Sequence, residues 1–123
     1  MTNEEINIEI AEFCGWRKIR EQDYQPFGTN EYIHGPSQVL VGIHPESDVD
    51  DIEYEVIPDY CNDLNEMHEA EKTLSRGQNY HQLYGFGFYV NTLTQICYQQ
   101  HILTATASQR AEAFVRTIDK WKE

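Results

Sequence analysis

Between Arg20 and Lys72 the chain has no lysine or arginine, although 14 of its 21 Asp and Glu residues fall there. The field of such a stretch repels a nucleic-acid backbone and an anionic membrane and attracts basic protein surfaces, so direct nucleic-acid binding is not expected. Cysteine is equally scarce: Cys14, Cys61 and Cys97 are an odd, widely spaced set with no C-x-x-C pair. That set suggests neither a disulfide framework nor a zinc site, and reduced thiols are expected. No apolar run approaches the roughly 20 residues that span a bilayer, and Met1 to Ile6 is acidic where a secretory leader is basic. The expectation is a cytoplasmic protein without membrane contact.

The catalytic motifs are missing as well. His68-Glu69 lacks the second histidine of H-E-x-x-H, Gly85-Phe86-Gly87 lacks the third glycine of a dinucleotide fingerprint, and neither a phosphate loop nor G-x-S-x-G occurs. Cys97 and His101 have the residue types of a nucleophile and its base, but no third group to orient them is evident. The reading is therefore non-enzymatic, with no cofactor and no metal.

What is present is a foldable chain of 123 residues, 40% hydrophobic and 12% aromatic, with a net charge of −12. This is too apolar for intrinsic disorder and of single-domain size. One domain over 1–123 is expected, with an acidic loop and strand region at about 44–60. Thr2 and Glu5 have capping-box spacing, Ile6, Ile10, Phe13 and Cys14 share a helical face, and Gly15 suits a helix end, which predicts a helix over 3–14. Trp16 to Ile19 reads as a short strand, Tyr32-Ile33 as a partner for the buried strand Val39–Ile43, and Ile52–Val56 as an alternating strand with one wet face. Asn62 or Asp63 caps a second helix with Leu64, Met67, Glu71 and Leu74 on one stripe and Gly77 beyond its end. Tyr80 to Leu93 fits helix or strand, with helix preferred. Ile96–Tyr98 and His101–Leu103 read as short strands. Thr106-x-x-Gln109 opens a last amphipathic helix through Ala111, Phe114, Val115, Ile118 and Trp121.

Three stretches carry a family resemblance: Met1–Ile8 with Gly15-Trp16, Pro58–Lys72, and Ala105–Thr117. Together they resemble the phage ABA sandwich domain family of small phage and prophage proteins. The resemblance implies an α/β/α sandwich, a small α+β architecture in which N-terminal, central and C-terminal helices pack on a short-stranded sheet. It also implies a phage or prophage origin, hence the host cell cytosol, and brings no catalytic residues.

The sharpest local feature is the acid run Glu46, Asp48, Asp50, Asp51, Glu53 and Glu55. In an extended strand, alternate residues stand about 6.6–6.8 Å apart on one face, a loose match to phosphates about 3.4 Å apart along one strand of a duplex. With Asp59, Asp63, Glu66 and Glu69 it is the candidate acidic face for docking on a basic host protein, as counter-defence or nucleic-acid mimicry. The plainer alternative is a solvated loop and strand edge that discourages edge pairing. A calcium loop fits poorly, since no glycine stands at the turn and Asp59 occupies the twelfth place counted from Asp48. A different function class is a nucleotide-type ligand held among Tyr80, Tyr84, Phe86 and Phe88 with Arg76, Arg110 or Arg116 on its phosphate, against the plainer reading of those aromatics as core. A structural homo-oligomer, acidic half against basic half, is the third alternative.

Overall fold

The computed structural model describes residues 1–24, 37–47, 54–75, 85–98 and 101–122. They hold four α-helices and a three-stranded antiparallel sheet, a small α+β fold. By contacts the chain divides into a helical unit, Met1–Cys14 with Pro58–Glu123, and a sheet unit, Gly15–Ile57.

In the helical unit α1 spans Asn3–Phe13. Its capping box is formed: the Glu5 amide donates to Thr2 Oγ1 at 3.1 Å and the Thr2 amide to Glu5 Oε1 at 3.0 Å. The helix buries Ile6, Ile10 and Ala11. It also buries Asn7, whose Nδ2 donates to Asp59 Oδ1 at 3.0 Å and whose Oδ1 accepts from the Cys61 amide at 3.1 Å, tying loop 59–61 to α1. α2 is Leu64–Ser75 and α4 is Ala107–Thr117. Asp63 is the cap that α2 uses, its Oδ1 accepting from the amides of Asn65 and Glu66. Met67, Glu71 and Leu74 are buried as the stripe predicts, whereas Leu64, in the first turn, is 42% exposed; Gly77 lies outside the described residues. The Thr106–Gln109 capping box of α4 is formed too. That helix buries Ala111, Phe114 and Val115, and Ile118 is its C-cap. Trp121 falls beyond the helix, its ring 4.5 Å from the Arg116 guanidinium.

The helical reading of the ambiguous segment holds where it is described: α3 is Phe86–Ile96, while 80–84 lie outside. Two expected strands are corrected here. Ile96 ends α3 and Cys97 caps it, because Tyr89, Leu93 and Cys97, all buried at four-residue spacing, continue one helical face. Residues Ile102–Thr104 form a single 3-10 turn, in which His101 Nδ1 accepts from the Leu103 amide at 3.1 Å. α4 packs against α1, α2 and α3. The Phe114 ring sits at its centre, edge-on to Phe13 at 5.5 Å and to Tyr89 at 6.3 Å.

In the sheet unit β1 (Arg17–Tyr24) pairs antiparallel with β2 (Ser37–Ile43), which pairs with β3 (Glu55–Val56). The first strand is longer than the four residues expected, and its register slips between Arg17 and Arg20, where Lys18 has φ 52°. β2 is the buried strand foreseen, with Val41 and Ile43 inside. Its pairing partners are β1 and β3, and Tyr32-Ile33 lies outside the described residues. Val41↔Val56 and Gly42↔Glu55 set the β3 register; of the alternating strand expected over Ile52–Val56 only these two residues are in the ladder and both are exposed, Val56 at 53%, so the single wet face is not what is found, while 52–53 lie outside the described residues. A Cβ at Gly42 would stand 3.1 Å from the Arg17 carbonyl oxygen, so any side chain there would have to push the β1 backbone aside by a few tenths of an ångström.

Candidate functional site

Of the ten acidic candidates, six are described. Glu46 and Glu55 belong to the sheet unit and are exposed; Asp59, Asp63, Glu66 and Glu69 belong to the helical unit, with all but half-buried Glu66 exposed. Asp48, Asp50, Asp51 and Glu53 lie outside the described residues. The helical-unit carboxylates follow one another along the loop into α2 and its first turns, each with a local partner or position. Asp59 accepts from Asn7 and, through Oδ2, from Asn62 Nδ2 at 2.9 Å. Asp63 caps α2, a place where a negative charge also meets the positive end of the helix dipole. Glu69 pairs with Lys72 at 2.8 Å, a pair exposed on both sides and so weak in water.

A tightly built charge cluster lies elsewhere among the described residues, on side chains read singly from sequence. Glu71 of α2 is 8% exposed. Its Oε2 accepts from the Tyr89 hydroxyl of α3 and from Arg110 Nη1 of α4 at 2.9 Å, and its Oε1 lies 2.7 Å from His68 Nδ1. A carboxylate only accepts, so that imidazole nitrogen carries the proton. Arg110 also donates to main-chain oxygens, Nη2 to Ile102 at 3.0 Å and Nε to Ala105 at 3.3 Å. Burial, then the hydrogen bond and charge of Glu71, hold the Tyr89 hydroxyl far above the usual phenol range, so it stays a neutral donor. The cluster clasps three helices and gives each nitrogen of its guanidinium a partner. The legible signal for it was Glu71 on an otherwise apolar stripe, since a buried carboxylate requires a partner.

The alternative ligand group is only partly assembled. Phe86 and Phe88 are 45% and 43% exposed in the first turn of α3. Arg110 belongs to the clasp, and Arg116 donates to Glu112 at 2.8 Å while lying over Trp121. Tyr80, Tyr84 and Arg76 lie outside the described residues. Cys97 is buried, and His101 Nδ1 is taken by the 3-10 turn. The thiols of Cys14 and Cys61 are both pushed up to about 11, chiefly by burial, and Asp59 adds to the effect at Cys61. Neither is a ready nucleophile at neutral pH.

Among the described residues no group of three or more His, Cys, Asp or Glu is placed to hold a metal ion, and no helix is long and apolar enough to cross a membrane. The chain matches no family model, no curated protein and no solved structure.

Proposed function

We propose that the protein is a binding module that acts without turnover, docking its acidic surface on a basic surface of a host protein that would otherwise hold nucleic acid. The observation that carries this reading is the run of carboxylates Asp59, Asp63, Glu66 and Glu69 on the helical unit, set in a 51-residue stretch without one Lys or Arg. Under this reading charge speeds and orients association, and a few buried contacts supply most of the affinity. The ABA sandwich resemblance supports reading the protein as a phage or prophage accessory factor in the host cytosol, with counter-defence as the matching role. The nucleotide-pocket reading ranks below it because the guanidinium groups of Arg110 and Arg116 already have carboxylate partners.

The test is capture of partners by tagged protein from nuclease-treated host lysate at low and high salt, beside a Glu66→Lys/Glu69→Lys variant. A basic, nucleic-acid-binding protein retained only by the native chain and only at low salt is the expected result. Equal retention by the charge-reversed chain, or retention that ignores salt, would sink the idea.

A further inference from the structure

We propose that a pocket of about 330 Å³ beside the C-terminal end of α1 receives the cationic side chain, arginine or lysine, of a basic partner. The inference deepens the docking reading and rests on it for the source of that side chain. The pocket is lined by Glu9, Glu12, Phe13, Ile118 and Lys120.

Glu9, Glu12 and Phe13 are three and four residues apart and so share one face of α1. Phe13 keeps 40% of its surface exposed although its ring is braced edge-on by Phe114, while Ile118 is buried and gives an apolar wall. An aromatic ring beside carboxylates is a favourable setting for an ammonium or guanidinium group. The helix adds to it. The last turn of α1 contains no basic residue, so Glu12 stands at the negative end of the dipole with no cation from its own helix. Among the described residues no ion pair joins Glu9, Glu12 or Lys120 to anything. Two carboxylates against one ammonium leave a net negative site. Lys120 then opposes an incoming cation and sets the affinity down, which gives the proposal a second, oppositely signed consequence.

The probe is N-acetyl-arginine amide, which carries the cation and no carboxylate, titrated into the full chain at low salt while backbone amide resonances are followed. Saturable shifts are expected around Glu9–Phe13 and Ile118–Lys120. Glu9→Gln with Glu12→Gln weakens binding about two- to five-fold for each carboxylate removed, and Lys120→Ala tightens it about two-fold, as exposed charge contacts do. No saturable shift, or shifts indifferent to the glutamine variants, would overturn the proposal. So would binding that requires a free carboxylate on the ligand and disappears in Lys120→Ala, since that marks a site for a zwitterion. The Glu66→Lys/Glu69→Lys variant binds the probe like the native chain, so loss of the partner there with the probe retained counts against the acidic face and not against the pocket.

Discussion

Glu71 joins three helices through hydrogen bonds to Tyr89, Arg110 and His68, and truncating it leaves a mostly buried guanidinium facing no anion. Glu71→Ala is expected to cost about 3–5 kcal/mol, the range for breaking a buried pair, read by urea unfolding. Replacing both partners with apolar residues, Glu71→Leu with Arg110→Met, should cost much less than the two single changes added together, because no orphan charge remains. The Tyr89 hydroxyl and the thiols of Cys14 and Cys61 share a sign. Each has its folded value raised above the ordinary one of 10.0 for the phenol and 9.0 for the thiols. Such groups bind their protons more tightly in the native state, so their contribution is fully present below the unfolded values and is lost as pH climbs through the folded ones. Stability should therefore fall from about pH 9 upward, with the share of the 295 nm ionisation signal that belongs to Tyr89 appearing only as the chain unfolds. A midpoint unchanged between pH 8 and 11 would refute this. At pH 8 a thiol reagent should modify Cys14 and Cys61 far more slowly in the native than in the urea-unfolded chain.

Helix starts were written locally and came through. Thr2-x-x-Glu5 and Thr106-x-x-Gln109 both close capping boxes, and Asp63 caps α2. Thr106→Ala should cost about 1 kcal/mol, visible as a lower unfolding midpoint with an unchanged denaturant slope. Legibility failed where a short apolar run carried two periods. Ile96-Cys97 looked like a strand by itself, and only its spacing from Tyr89 and Leu93 makes it the end of a helix. The sheet was harder still, because strand pairing is non-local. β1 reads from sequence as four residues followed by loop, and its extension to Tyr24 rests on the ladder with β2, not on its own mixed charges. The clasp was legible only in pieces: Glu71 on its stripe demanded a cation, but nothing local names Arg110, 39 positions away, as the one that answers.

The charge of the molecule is uneven along its length, and its pI of about 4.7 puts it far from neutrality at physiological pH. Self-repulsion of that kind keeps a protein soluble, so precipitation is expected on titration toward pH 4.7 and should be relieved by returning to neutral pH. At this scale the packing of α4 against α1, α2 and α3 has a temporal meaning. A nascent chain threading out of the ribosome lacks the main cover for the apolar faces of its first three helices until residues 107–117 have been made. Closure of the helical core then waits for residues 107–117, and a message cut short before Thr106 is expected to yield a product that chaperones hold and proteases clear.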